Sequence, residues 1–178
     1  NKRLRWPHFV KVCKLARDNG AEVKAYILLK PPYLSEKESI DDAVKSAIDA
    51  APHVDKISIN PVNVQKSTVV EKLWFRNEWV APWLWSVVEV LKKCEDLPVR
   101  VYSDPTGGGT RRGAHNCHDC NKKILQALNN HRLGLGDLKG LHCSCKSRWD
   151  VLVRQSNLRR NGSEPHGYRS GFSGSRHF

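Results

Sequence analysis

Hydrophobic positions at the start of the chain follow first a helical period and then a strand-like run. After Pro7, apolar side chains recur at intervals of three and four residues, at Phe9, Val12, Cys13 and Ala16. This spacing predicts an amphipathic helix that Pro7 begins and that Asn19 and Gly20 end. The near-continuous apolar run from Val23 to Leu29 then predicts a strand of the kind that a parallel sheet buries on both faces.

The alternation of helix and strand continues along the next eighty residues. The predicted elements are a helix from the capping box of Ser35 and Glu38, a strand over residues 54–60, a helix from the capping box of Thr68 and Glu71, a helix from Pro82 and a strand over residues 97–102. The order αβαβααβ calls for right-handed parallel crossovers with helices covering the sheet. Because three strands are few for such a sheet, the pattern predicts an α/β fold that is the tail end of a larger β/α assembly.

Polar side chains follow the predicted strands at the ends where ligands sit in parallel sheets. Lys30 follows the first strand, and Asn60, Asn63 and Gln65 follow the second. The three amides could hold a ribose or an amino-acid group, and they fit an ordinary polar loop equally well. Lys30 could anchor a phosphate or carboxylate, or be a solvated lysine.

Four cysteines form two close pairs in the last third of the chain. Cys117 and Cys120 are a CxxC pair, and Cys143 and Cys145 are a CxC pair about two dozen residues later. Two thiol pairs around a short insert have the ligand spacing of a tetrahedral structural zinc site. The alternatives are two disulfides in a secreted chain, an iron–sulfur site or no metal, and the flanking histidines are second-choice ligands.

A glycine- and arginine-rich stretch precedes the first cysteine pair. Gly107, Gly108 and Gly109 would let backbone N–H groups approach an anion, and Arg111 and Arg112 offer donors suited to phosphate. The stretch is not a Walker A loop, because no Gly-Lys-Ser/Thr follows it. Its other interpretation is a flexible linker.

The remaining apolar positions predict smaller features. A short helix around Ile124 and Leu128 ends near His131, and a last short helix near Trp149 packs against the cysteine pairs. Cys13 and Cys94 stand alone on predicted helices and are expected to be buried apolar groups.

The composition adds a strong positive charge. The 178 residues carry 30 Lys and Arg against 18 Asp and Glu, a net charge of +12, which indicates a polyanionic partner.

No apolar run approaches the roughly 18 residues of a membrane span, so no membrane partner is expected. Unpaired thiols favour a reducing, cytoplasmic location. Residues 155–178 are predicted to be a disordered basic tail, and the initial Asn1 suggests a missing upstream segment.

Three long segments resemble a known family: KAYILLKPPYLSEKESIDDA, ISINPVNVQKSTVVEKLWFRNEWVAPWLWSVVEVL and SDPTGGGTRRGAHNC. They are similar to the C-terminal portion of radical S-adenosylmethionine enzymes that modify tRNA, in particular the archaeosine-forming lyase and the related elongator catalytic subunit. The resemblance implies a partial β/α barrel of parallel strands with a [4Fe–4S] cluster and S-adenosylmethionine. It also implies C–N bond cleavage of a lysine-bearing 7-deazaguanine in the tRNA D-loop, after a partner enzyme has transferred the lysine.

The resemblance assigns roles to residues by position, although no catalytic residue is among them. Lys30, Asn60, Asn63 and Gln65 would face cofactor or substrate. The RNA-facing residues would be Arg111, Arg112, Lys122, Lys123, Lys146 and Arg148. The barrel part would span residues 1–106, the glycine–arginine loop and zinc module 107–154, and the tail 155–178. The family's cluster motif, CxxxCxxC, is absent from this sequence.

Three functions remain open on the sequence. The first is part of a radical S-adenosylmethionine enzyme acting on tRNA, and the second is a non-catalytic zinc-bearing module that binds RNA. A third, a phosphate-sugar enzyme of the ordinary β/α-barrel type, lacks a clear acid–base pair.

Overall fold

The structure is a computed structural model that describes residues 4–158, so most of the predicted disordered tail lies outside the described residues. The helices are α1 (Trp6–Asp18), α2 (Glu36–Ala50), α3 (Val69–Phe75), α4 (Leu84–Lys93), α5 (His118–Leu133) and α6 (Lys146–Leu158), with a 3-10 turn at Ala51–His53. The strands are β1 (Lys24–Leu29), β2 (Lys56–Pro61) and β3 (Arg100–Ser103). None of the helices in this part of the chain is long and apolar enough to cross a membrane.

The three strands form one parallel sheet in the order β1-β2-β3, as the alternating pattern predicts. Ala25 pairs with Ile57, which in turn pairs with Val101, so one row of apolar residues crosses the sheet. Strand β3 begins three residues later than predicted, at Arg100. The carboxyl ends of the strands therefore lie along one edge, where the predicted ligand residues follow them.

The prediction that β1 is buried on both faces is wrong. Ala25 and Leu29 face the core, whereas Tyr26 and Leu28 are 65% and 55% exposed. Residues of a strand point alternately to its two faces, and helices cover only the face of Ala25 and Leu29 in the described chain. The opposite face, formed around Tyr26, Leu28 and Ser58, lines an open cavity.

Helices α2 and α4 cover the buried face of the sheet. Ser35 caps α2 through the predicted capping box, in which its hydroxyl accepts from the Glu38 N–H and the Glu38 carboxylate accepts from the Ser35 N–H. Ile40, Ala43 and Ala47 then present the apolar stripe that packs inward. The second predicted capping box is incomplete, because Thr68 caps α3 but the Glu71 carboxylate turns to the Ser67 N–H instead.

The last two helices are longer than the sequence predicts. Helix α5 spans 16 residues from the first cysteine pair onward, and α6 spans 13 residues and continues past the boundary placed after residue 154. Ile124, Leu128 and Trp149 join the same core as α2, α4 and the sheet. The division at residue 107 stays a prediction, and packing is continuous across it. Cys13 and Cys94 are buried in this core, as expected.

Candidate metal centre and nucleic-acid interface

The four predicted cysteine ligands come together in the folded chain. Cys117 and Cys120 lie where α5 begins, and Cys143 and Cys145 lie just before α6. Their Sγ atoms are all within 4.8 Å of one another. The Cys117–Cys120, Cys117–Cys143 and Cys120–Cys145 sulfur separations are 3.6, 3.5 and 3.6 Å. The cluster can therefore hold a metal ion.

These separations distinguish among the alternatives left open by the sequence. Sulfurs at the corners of a tetrahedron around zinc, with Zn–S bonds of about 2.3 Å, lie about 3.8 Å apart. A disulfide would bring two sulfurs to about 2 Å, which none of the pairs approaches. A [4Fe–4S] cluster does not fit, because its four thiolates bind four different irons and are spread more widely. The geometry is that of a mononuclear site.

Three of the four thiols, Cys117, Cys120 and Cys143, differ in pKa before any ion binds. A hydrogen bond with the backbone of Cys145, and then one with the Cys117 side chain, lowers the pKa of Cys143 to about 7. Burial instead raises the pKa of Cys117 and of Cys120. Cys143 is thus the thiol of these three that deprotonates first, and metal binding must displace protons from the others.

Two buried tryptophans donate hydrogen bonds at or near the four-cysteine cluster. The Trp85 Nε1–H donates to Cys145 Sγ at 3.3 Å, and the Trp85 backbone N–H donates to Asn116 Oδ1 at 3.2 Å. Trp149, on α6, donates its Nε1–H to Ser86 Oγ at 2.8 Å. Such outer hydrogen bonds orient the ligands of a metal site. Helix α4 thereby holds both the second cysteine pair and the helix that follows it.

The same buried network continues to Lys30. Ser86 Oγ donates to Glu36 Oε1 at 2.6 Å, and the Trp83 N–H donates to the same oxygen at 2.8 Å. The other carboxylate oxygen, Oε2, pairs with Lys30 Nζ at 2.5 Å, and the two side chains are 6% and 0% exposed. Lys30 is therefore not a solvated lysine. The structure does not bring it to the predicted amides, and its role toward a cofactor stays a prediction.

Two of the three predicted amide residues line an open cavity of about 460 Å³ at the sheet's carboxyl edge. Asn60 and Asn63 line it together with Tyr26 and Leu28, whereas Gln65 lies beside it and donates to Asn63 Oδ1 at 2.6 Å. Lys24 also belongs to the lining. Hydrogen bonds with the phenols of Tyr102 and Tyr26 raise the pKa of Lys24.

The glycine stretch is a packed turn, and the flexible-linker interpretation is wrong. A Cβ on Gly113 would lie 2.2 Å from the Gly107 carbonyl oxygen, and one on Gly108 would lie 2.7 Å from Leu125. The N–H groups of Gly108 and Gly109 donate to Pro105 and Ala114 carbonyls, so two of the three amides are already used. The turn brings the chain to the first cysteine pair and offers little backbone for an anion.

The two arginines have different surroundings. Arg112 pairs with Glu71, donates to the Val64 carbonyl at 3.1 Å and lies 5.2 Å from the Trp74 ring centroid. It ties the turn to α3. Arg111 is exposed and lines a surface cavity, so it is the arginine of the pair that is available to a ligand.

The four predicted RNA-facing residues on α5 and α6 are partly or fully exposed. Lys122 and Lys123 lie on α5, and Lys122 shares a cavity with Gly108 and Gly109. Arg148 is exposed on α6, whereas Lys146 pairs with Asp150 at 2.9 Å over the Trp149 ring. Their contact with RNA stays a prediction.

The sequence interpretation missed residues whose positions depend on the sheet. Tyr26 and Leu28 were expected in a two-sided core, yet they line the cavity next to Asn60. Lys24 and Tyr26 alternate with the apolar Ala25 and Ile27, and this short period-2 signal could have identified the face. Glu36, 50 residues from Ser86, gave no such local signal.

Known proteins resemble the chain over most of its length. It is 41% identical over 159 residues to archaeosine synthase subunit beta of Methanosarcina acetivorans, a match covering 86% of this chain and 45% of that protein. It is 40% identical over 163 residues to the protein of the same name from Thermococcus kodakarensis, covering 89% of this chain and 50% of the relative.

A solved structure, Elp3 of Methanocaldococcus infernus with an N-terminal deletion, superposes with a TM-score of 0.48 at 19% identity, covering 75% of this chain and 32% of that one. No protein-family model matches the chain. The chain spans about half the length of the archaeosine synthase relatives. Over that half, two in every five residues are identical. The chain is therefore a homologue of archaeosine synthase subunit beta, and the family resemblance predicted from its sequence is confirmed.

Proposed function

We propose that the chain is part of a tRNA-modifying enzyme that forms archaeosine. The observation that carries the proposal is the 41% identity to an archaeosine synthase subunit beta over 159 residues. The net charge of +12 supports a polyanionic partner such as tRNA. The reaction would be the C–N bond cleavage of a lysine-bearing 7-deazaguanine in the D-loop.

The chain's own part in this reaction is to bind and to position. Asn60 and Asn63 would hold S-adenosylmethionine or the modified base in the strand-end cavity, whose lining combines amide, phenol and aliphatic groups. When bound and reductively cleaved, that cofactor supplies a radical. The exposed Arg111 would contact tRNA phosphate, with the lysines of α5 beside it.

The iron–sulfur cluster of such enzymes does not fit the thiols of this chain. The four clustered sulfurs lie too close together for it, Cys13 and Cys94 lie outside that group, and no CxxxCxxC motif occurs in the sequence. We infer that the cluster is bound by another segment or subunit. The four clustered cysteines would bind zinc, which structurally fixes α5 and α6 against the core.

A partner enzyme belongs to the proposal. The relatives are named as beta subunits, and the name implies that they work with another subunit. For this chain, the partner would be the enzyme that transfers lysine to the 7-deazaguanine. The transfer must come first, because its product contains the C–N bond that is cleaved.

Deletion of the gene followed by mass spectrometry of tRNA nucleosides tests the function. We expect archaeosine to disappear and the lysine-bearing nucleoside to accumulate, with recovery when the intact gene is returned. Archaeosine at the normal level in the deletion strain would reject the proposal.

The second candidate is a non-catalytic zinc-bearing module that binds RNA, which the four-thiol site and the charge favour. It predicts tRNA affinity that falls steeply with salt concentration, because phosphate contacts release counterions. The same deletion strain separates the two candidates. If the chain is only a binding module, archaeosine persists in the strain that lacks it, although the purified protein binds tRNA.

A further inference from the structure

A second surface cavity, of about 380 Å³, lies between the end of α3 and the segment that leads to the metal centre. Phe75, Trp74 and Trp79 line one part of it, and Arg111 and His115 line another. It is lined by other residues than the strand-end cavity, and the family resemblance gave none of its aromatic residues a role. An open site that combines aromatic rings with an arginine matches the chemistry of bases and phosphates.

The aromatic residues of the cavity lie at the C-terminal end of α3, whose backbone is held by hydrogen bonds. Asn77 has a left-handed φ of 57°, its N–H donates to the Trp74 carbonyl, and the Glu78 N–H donates to the Leu73 carbonyl. These two bonds are a Schellman motif, which ends α3 and turns the chain back. The turn brings Trp79 to the same cavity as Phe75.

Phe75 is the ring available for stacking. Its side chain is 68% exposed, and its centroid lies 5.1 Å from that of Trp74 at an interplanar angle of 62°. Trp74 is half-buried, and the Arg112 guanidinium lies over its ring. A small core that is separate from the main one supports the end of α3, where Phe75 lies. It consists of Val64, Leu73, Trp79 and Ala81. An exposed aromatic ring on a rigid base loses little entropy when it binds a flat ligand.

Polar groups converge on the same cavity. The Trp79 indole is 5% exposed, and its Nε1–H has no hydrogen-bond partner among the described residues. His115 Nδ1 lies 2.9 Å from the Gly113 carbonyl oxygen, so Nε2 is the ring nitrogen that could bond to a ligand. Within residues 4–158, the cavity lining contains an arginine and a histidine and no carboxylate. A buried donor without a partner is costly in a folded protein.

We propose that this cavity binds one unstacked nucleobase of a single-stranded RNA segment, with the base on Phe75 and the adjoining phosphate on Arg111. The inference rests on the proposed function, because it takes tRNA as the polyanion. Unpaired bases in RNA loops are recognised by stacking on aromatic side chains and by hydrogen bonds to their edges. The cationic lining and the net charge of +12 favour this ligand over an apolar peptide.

The test compares two variants by fluorescence anisotropy with a labelled single-stranded oligoribonucleotide and with the same strand made abasic. Phe75→Ala should weaken binding of the intact strand by between about fivefold and a hundredfold and leave the abasic strand unaffected. Arg111→Ala should weaken binding of both strands and lower the salt dependence by about one counterion. Tyr33→Ala and Arg76→Ala are the matched controls, since both side chains are exposed and neither lines the cavity.

Each outcome decides one point. An equal loss on both strands for Phe75→Ala, or no loss on either, would overturn base binding. If Phe75→Ala no longer binds a protein partner but keeps its affinity for RNA, the cavity is a protein interface and the inference is overturned. If the unaltered protein binds no RNA at all, the proposed function itself fails. The proposed function stands if RNA binding persists while Phe75→Ala behaves as Tyr33→Ala.

Discussion

Replacing Lys30 by methionine tests the buried ion pair that joins the end of β1 to α2. The Lys30 ammonium lies 2.5 Å from Glu36 Oε2, and the two side chains are 6% and 0% exposed. Methionine keeps the aliphatic stem and removes the charge. The Glu36 carboxylate would keep its bonds from Ser86 and from the Trp83 N–H but would lose its cation.

The expected loss follows from the burial of the pair. Removing one partner of a buried ion pair costs about 3–5 kcal/mol, because the other charge is left in a poorly solvated site. For a domain of this size that loss corresponds to a Tm lower by about 6–20 °C. Adding Glu36→Gln should recover part of it, since a neutral amide oxygen can still accept from Ser86.

Urea denaturation of the metal-loaded protein, followed by tryptophan fluorescence, measures the effect. The matched control is Lys45→Met, because the pair of Lys45 and Asp49 is exposed and such pairs contribute about 0–1 kcal/mol. A loss for Lys30→Met no larger than that for Lys45→Met would refute the argument from burial. A loss that Glu36→Gln does not reduce would show that the uncompensated charge is not its cause.

Three further changes test the metal centre and the turn. Cys117→Ser should abolish stoichiometric metal by elemental analysis while Cys13→Ser retains it, because Cys117 belongs to the four-thiol site and Cys13 does not. Gly113→Ala should destabilise the chain in urea denaturation by about 1–3 kcal/mol, since its Cβ would meet backbone at 2.2 Å. Hydrogen bonding to Arg112 holds the pKa of Glu71 below its ordinary 4.5. The stability difference between the protein and Arg112→Ala should therefore be largest above pH 4.5 and shrink as pH falls through the lowered value, as urea titrations at several pH values would measure.

The outcomes that contradict these expectations are distinct. Metal retained at one equivalent in Cys117→Ser would mean that the ion is not held by this cluster. Unchanged stability in Gly113→Ala would mean that the turn adjusts without cost. A pH-independent difference for Arg112→Ala would remove its pairing with Glu71 from the explanation.

Local patterns were enough to predict the order of elements and the metal ligands. The stripe before Asn19, the capping box of Ser35 and the apolar run after Val23 each depend on neighbours a few residues apart. Parallel pairing then follows from the alternation of helices and strands. The two cysteine pairs were recognisable because thiols at such close spacing are typical of metal ligands.

Helix α5 shows why element lengths were less predictable. Its first turns read HDCNKK, so no apolar stripe marks them, and only the later Ile124 and Leu128 carry the helical period. The helix begins directly after its N-cap, Cys117, which is one of the four clustered thiols. The packing of that cluster, rather than the propensity of the first turns, therefore sets where α5 starts.

Local sequence patterns were sufficient to specify which segments become helices and strands, that the strands run in parallel and that four thiols could share one ion. Tertiary structure alone decided which face of β1 stays open, that Lys30 turns inward to Glu36, and that Phe75 and Arg111 border one cavity. The first set depends on backbone geometry and spacing within a few residues. The second depends on contacts between residues far apart in the chain, which form only when the sheet and its helices have packed.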